Sequence, residues 1–230
     1  SEWWFWWRVI AMKRIILPPR PNWAQQHLDI GFDYYNLPSA DGSIYWREGI
    51  AYEFTLKQIE QLEDAANDLH QMCLEVVRHI IQSGDYPAYF ALPDAAIAQI
   101  EQSWKSQTAM LYGRFDFAYD GNTIKMLEYN ADTPTGLLEA SVAQWLWLEQ
   151  VANIPHRDQF NSIHEDLIER WKLLFPQQQT VHFSASADAG REDWGNLEYL
   201  MDTASQAGLN VTELSIENIG WNGNQFVDLK

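Results

Sequence analysis

The chain has 230 residues, 47% of them hydrophobic and 14% aromatic, and its 32 acidic against 15 basic residues give a formal charge of −17. That length allows one large domain or two small ones, and the acidity argues against a duplex nucleic-acid partner, because phosphate binding draws on an excess of Lys and Arg. One cysteine, Cys73, leaves no intrachain disulfide and fits a reducing, cytoplasmic setting, and no run of about 18 apolar residues suggests a membrane span.

The first residues, SEWWFWWRVIA, lack the basic head and small-residue cleavage site of a signal peptide. Met12 opens a more ordinary sequence. We read it as the natural start and residues 1–11 as extraneous or disordered, an addition of cloning or of upstream translation; the alternative is a hydrophobic arm that docks on a core. Residues 12–53, rich in Pro, Gly and aromatics with short strand-like runs such as Ser43–Trp46, predict an irregular region. Thr55 and Gln58 then form a T-x-x-Q capping box. Ile59, Leu62, Ala66, Leu69, Met72, Cys73, Val76, Val77, Ile80 and Ile81 follow at helical spacing to Ser83-Gly84, which predicts a long helix packed on one side. His70 and Cys73, or Glu75 and His79, stand at spacings a metal can use, but Cys73 lies on the apolar stripe, where it reads as a small hydrophobe. Asp94 is placed to cap a second helix to about Lys105.

Residues 113–130, GRFDFAYDGNTIKMLEYN, read as strand, turn, strand. Helices follow from Pro134 to about Ala152 and from about Asp158 to Phe175. A strand at Val181–Ser184, a helix over 192–207 ending at Gly208 and a strand at Val211–Ile216 make a β-α-β pattern, which predicts a parallel sheet. The loop SASADAGRED lacks G-x-G-x-x-G, so no dinucleotide fingerprint is present. The final NGNQFVDLK looks like the second strand of a hairpin.

Alternation puts Arg114, Asp116 and Ala118 on one face of the first strand and Phe115, Phe117 and Tyr119 on the other. On the return strand Glu128 and Asn130 share a face. A three-residue loop, Gly121-Asn122-Thr123, would set Asp116 opposite Glu128 and Arg114 opposite Asn130; a two-residue loop would separate the acids. Sharing of an apolar face by Phe115, Phe117, Leu127 and Tyr129 favours the odd-length loop. Opposed carboxylates need a compensating cation or Arg. Asp, Glu and Asn oxygens suit Mg²⁺, and Arg114 offers a fork for a phosphate or carboxylate. The pattern equally fits a charged cluster on the solvated face of an ordinary hairpin.

Arg114-Phe-Asp116-Phe, followed by Leu-Glu128-Tyr-Asn130-Ala-Asp132-Thr-Pro-Thr, resembles the glutathionylspermidine synthase family, especially its stand-alone bacterial acid–amine ligases. LHQMCLEVV at 69–77, LYGRFDF at 111–117 and QWLWLE at 144–149 are also similar to it. The resemblance covers about Pro18 to the end. It implies an α/β fold, a pre-ATP-grasp domain with part of an ATP-grasp synthetase, and ATP-dependent amide formation through an acyl phosphate. Carried over residue by residue, it implies Asp116, Glu128 and Asn130 as magnesium ligands and Arg114 as the residue on the phosphoryl or acyl phosphate. Thr133 and Thr135 match hydroxyls that hold the acid substrate, which are serines in the true synthetases. Glu192 and Asp193 match an acidic pair suited to an amine, such as a polyamine; they also suit the first turn of a helix, which favours acids. Family members run further and carry most of the nucleotide cleft beyond this region. The chain is therefore expected to be the N-terminal part of such a ligase, residues 12–230, truncated at its C-terminus and inactive alone. The alternative is a non-catalytic acidic module that binds polyamines or cationic peptides.

Overall fold

The computed structural model describes residues 12–39, 42–132, 134–152, 154 and 158–228. The expectation about residues 1–11 lies outside these. The chain divides into two units. One is Tyr52–Asp132 together with the start of the chain up to Arg14, here called the hairpin unit. The other, Ile15–Ala51 with the residues from 133 onward, is the βαβ unit. Two short strands, Lys13–Ile16 (β1) and Ile50–Glu53 (β2), pair with each other.

In the hairpin unit the capping box forms as read. The Thr55 hydroxyl accepts from the Gln58 amide, the Gln58 side chain accepts from the Thr55 amide, and a 28-residue helix follows, Leu56–Ser83 (α2), closed by Gly84 at φ 68°. Its apolar stripe is not covered along its whole length: Met72 is 62% exposed and Val76 58%. Within this unit the β-hairpin hooks the helix at two polar points, Gln58 Nε2 to the Gly121 carbonyl and His70 Nδ1 with the Tyr129 hydroxyl. The exposed stretch lies beyond the second. His70 thus has a structural partner at 2.9 Å. The next helix, Asp94–Lys105 (α3), has extended Pro93 at its cap, so Asp94 is its first residue and not its cap.

The βαβ unit holds the core. The region expected to be irregular contains a short helix, Trp23–Asp29 (α1), and its aromatics pack edge to face: Phe32 lies 4.7 Å from Tyr34 and 5.6 Å from Trp46, ring centre to centre. Beside them Arg20 and Glu48, both buried, make a paired contact of 2.6 and 3.0 Å, and Trp46 Nε1 donates to the same carboxylate. After Pro134 a helix begins at Leu137, widens into a π-helical turn over Glu139–Ala143 and continues as Gln144–Gln150 (α4). Helix Ile163–Leu174 (α5) starts later than expected, because Asn161 Oδ1 accepts from the Ile163 amide and turns the chain there. Strand Thr180–Ala185 (β5), helix Arg191–Gln206 (α6) and strand Asn210–Ser215 (β6) form the expected parallel β-α-β, in register from Thr180 opposite Asn210 to Ala185 opposite Ser215. Leu137, Leu138, Leu148, Leu167, Trp171, Phe183, Tyr199 and Leu214 are buried among these elements. The last strands, Ile219–Trp221 (β7) and Phe226–Asp228 (β8), form an antiparallel hairpin. The fold is mixed α/β. No helix among the described residues is long and apolar enough to cross a membrane.

Candidate functional site

The hairpin of Arg114–Tyr119 (β3) and Ile124–Asn130 (β4) sets Asp116 opposite Glu128 and Arg114 opposite Asn130. The route to that register differs from the odd-length loop. Tyr119 pairs with Ile124 and Phe117 with Met126, the phase of an even loop, and a β-bulge between Phe117 and Asp116 then shifts the ladder by one residue. Leu127 is the surplus residue, 68% exposed, so it does not share the aromatic face. That face is Phe115 stacked on Phe117 and, at 3.9 Å, on Tyr129. A bulge disrupts pairing, bends the strand and re-aims side chains. At the turn, Asp120 Oδ1 accepts from the Asn122 and Thr123 amides, which hold its carboxyl below the usual range.

The polar face is a connected set. Arg114 Nε donates to Asp116 Oδ1 at 2.8 Å, its Nη2 lies 3.9 Å from Glu128 Oε1, and Asn130 Nδ2 donates to Glu128 Oε1 at 2.7 Å. The guanidinium here supplies the positive charge that two facing carboxylates require. All three charged side chains remain substantially solvent-accessible. Among the described residues no group of three or more His, Cys, Asp or Glu is arranged to hold a metal ion. The hairpin offers two carboxylates and one amide oxygen. That donor set fits a hard divalent cation which takes the rest of its shell from water or phosphate.

Gly113, immediately before Arg114, was not singled out by the sequence. A Cβ there would meet Tyr129 Cε2 at 2.8 Å and the Asn130 carbonyl at 3.3 Å. The bare backbone lets the end of β4 lie against the start of β3.

The other candidate residues belong to the βαβ unit, except Thr133, which lies outside the described residues. The Thr135 hydroxyl donates to Glu192 Oε1 at 2.6 Å, so the residue matched to the acid substrate and one matched to the amine are bonded to each other. Glu192 is half-buried in the first turn of α6, while Asp193 is exposed. Buried Asn196, one turn on, accepts from the Leu137 amide and donates to the Pro134 carbonyl, both at the limit of bonding distance. This brace holds the segment after Pro134 on α6. A buried Asn in a helix was its only sequence signal. Arg191 fixes the same turn by contacts to Asp33 and Glu198. The loop entering α6 is tied by Glu217, which accepts from Ser186 Oγ and the Ala187 amide and is thereby held at a pKa of about 2.

Comparison with known proteins matches residues 14–230 to the family described as glutathionylspermidine synthase preATP-grasp. A protein of Haemophilus influenzae named "Putative acid--amine ligase" is 54% identical over 223 residues, 95% of this chain and 56% of the relative. The bifunctional glutathionylspermidine synthetase/amidase of Escherichia coli (strain K12) is 26% identical over 77% of this chain and 29% of its own length. Trypanothione synthetase of Crithidia fasciculata is 34% identical over 102 residues, 44% of this chain and 15% of the relative. The chain therefore spans little more than half the length of the first of these and less of the others.

Proposed function

Because the chain belongs to the glutathionylspermidine synthase preATP-grasp family, we propose that it is part of an ATP- and Mg²⁺-dependent carboxylate–amine ligase. A carboxylate oxygen attacks the γ-phosphorus of ATP and ADP leaves. The amine nitrogen then attacks the acyl carbon, inorganic phosphate leaves and the amine loses a proton. The observation that carries this reading is the opposed pair Asp116 and Glu128 with Arg114 and Asn130 on one face of the hairpin.

Asp116, Glu128 and Asn130 are the residues to hold Mg²⁺, which when bound offsets charge on the transferring phosphoryl group. Arg114 rests on Asp116 and is placed to release it and turn its fork to a phosphoryl oxygen. Thr135 offers a hydroxyl to the acid, together with Thr133 in the resemblance, and Glu192 with Asp193 offers charge to the amine. The single cysteine and acidic surface fit work in the cytoplasm. The activity is proposed for a protein of the length that such relatives have.

The test is amine- and acid-dependent release of ADP, with Mg²⁺, by a protein of that length carrying these residues. Glu128→Gln keeps the shape and removes the charge, and is expected to lower turnover by at least about a hundredfold. Turnover unchanged in that variant would remove the hairpin from the reaction.

A further inference from the structure

Asp116 and Glu128 share a face only because the hairpin is bulged. From the turn, Tyr119 pairs with Ile124, Ala118 with Lys125 and Phe117 with Met126. Continued without interruption, that phase would set Leu127 opposite Asp116, Glu128 opposite Phe115 and Tyr129 opposite Arg114. Opposed residues lie on one face, and a slip of one residue sends every later side chain to the other face. Glu128 and Asn130 would then point to the aromatic side. The bulge at Leu127 returns Glu128 to Asp116 and Asn130 to Arg114, at the cost of an unpaired residue and a broken ladder. Two things offset that cost. The charge of Glu128 avoids the aromatic side, and Tyr129 makes contacts there.

Tyr129 stands between Glu128 and Asn130 and points away from them. Its ring stacks on Phe115 at 3.9 Å, and its hydroxyl and His70 Nδ1 are hydrogen-bonded at 2.9 Å. The ring also fills the space beside Gly113, where a Cβ would come within 2.8 Å of Cε2 and 3.0 Å of the hydroxyl. The contact with His70 ties the end of β4 to a different element, α2. The same helix holds the turn, through Gln58 Nε2 and the Gly121 carbonyl at 3.3 Å. At 1.5 Å per residue, Gln58 and His70 stand about 18 Å apart along the helix axis. The bulge lies between the two points of attachment. A strand fastened on both sides of its bulge to one helix cannot slip by a residue without releasing one fastening, because the slip turns Tyr129 to the polar face.

We propose that His70 is a positioning residue of the hairpin site: through Tyr129 it holds the bulged register, and so keeps Glu128 and Asn130 on the face of Arg114 and Asp116. In this role His70 touches neither the metal nor a substrate. The use of that face for Mg²⁺ rests on the ligase reading; the register that His70 holds does not.

The experiment is NMR of this chain, comparing wild type with His70→Leu, Tyr129→Phe, the two together, and His70→Asn, whose side-chain amide puts a polar atom near the place of Nδ1. Cross-strand nuclear Overhauser contacts and amide exchange report the register, and paramagnetic broadening by MnCl₂ reports the affinity of the polar face. In His70→Leu and in Tyr129→Phe the contact between Asp116 and Glu128 should lose intensity. Amides from Glu128 to Asn130 should exchange about threefold to tenfold faster, those from Ile124 to Met126 should not, and Mn²⁺ affinity should fall by a similar factor. The double variant should lose no more than the larger single loss, and His70→Asn should recover most of it. Tyr129→Phe keeps the ring and its stack, so it carries the test even where His70→Leu does not fold. Exchange that rises equally on both sides of the bulge, or not at all, would overturn the proposal, as would losses that add in the double variant. The two readings separate in the same data. Exchange that changes as expected with no Mn²⁺ broadening at Asp116 and Glu128 in wild type would retain the role of His70 and sink the magnesium site. Mn²⁺ binding there that is indifferent to His70 and Tyr129, with exchange unchanged, would retain the site and sink the role.

Discussion

The two units are built on opposite principles. Every fully buried apolar side chain among the described residues belongs to the βαβ unit, whereas in the hairpin unit the buried positions are Gln58 and Gly121, joined by a hydrogen bond. The βαβ unit is stabilised mainly by area removed from water. The hairpin unit relies on an intrahelical cap, the stacking of Phe115 with Phe117 and Tyr129 and of Phe54 with Tyr119, and two polar hooks to α2. An open, polar sheet face suits residues that must release one partner and take another, as Arg114 would release Asp116. A packed core holds its side chains in fixed positions, as around Tyr34. The difference teaches that an exposed charged cluster and a buried aromatic cluster are held in place by different kinds of packing.

The largest expected effect breaks the βαβ unit. Arg20→Ala leaves Glu48 buried without its main counter-charge, and should cost about 3–5 kcal/mol. Thermal unfolding would show it, with hydrogen exchange rising through β5, α6 and β6; an unshifted melting temperature would mean that Trp46 and water satisfy Glu48 unaided. Acid should do the same more gently. His27 is fully buried, and burial first, then Arg20, lower its pKa to about 4 from 6.5. The unfolded chain therefore binds a proton that the folded chain refuses between those values. This contribution to stability is complete above about pH 6.5, falls as pH drops towards 4 and changes no further below. Its size is on the order of 1–3 kcal/mol, and urea titrations across that range would measure it against a His27→Gln control.

A smaller effect sharpens the contrast from the other side. Gly113→Ala drives a methyl against Tyr129 and the Asn130 carbonyl, and should cost about 1–3 kcal/mol. Exchange should accelerate in β3 and β4 and stay unchanged in α6. Leu127→Ala should cost less than about 0.5 kcal/mol, because the bulged residue is largely exposed. A cost for Leu127→Ala as large as that for Gly113→Ala would show that the hairpin unit depends on burial after all.

Much of this was legible in the sequence where one signal dominated. The capping box at Thr55, the turn at Asp120 and the β-α-β alternation all lie on local rules, and each appears within a few residues of its expected place. The cross-strand pairs of the candidate site were also correct, but for the wrong reason. The even-numbered residues of β4 begin apolar, Ile124 and Met126, and end polar, Glu128 and Asn130; the consecutive apolar pair Met126-Leu127 marks the break. That interruption of alternation was the sign of a bulge, and a loop-length argument passes over it. The short helix α1 was hidden among prolines and aromatics because tertiary ring packing, not periodicity, defines that region. Asn196 and the Tyr34–Glu139 pair bring together residues more than 50 positions apart, which no local pattern encodes.

The widened turn at Glu139–Ala143 has a further consequence. A π turn carries a longer hydrogen-bonded loop than an α turn, so one residue there is in excess of what a regular helix needs. Deleting Val142 would let the segment from Leu137 to Gln150 wind as unbroken α-helix. It would also rotate everything before the deletion by roughly 100° against everything after it, since each residue advances a helix by that angle. With Leu148 anchored in the core, the deletion would swing Glu139 away from Tyr45 and turn buried Leu137 and Leu138 out of their packing. Regular winding and correct aim are therefore competing demands on this helix, and the extra residue keeps both the Tyr45 contact and the buried leucines in place.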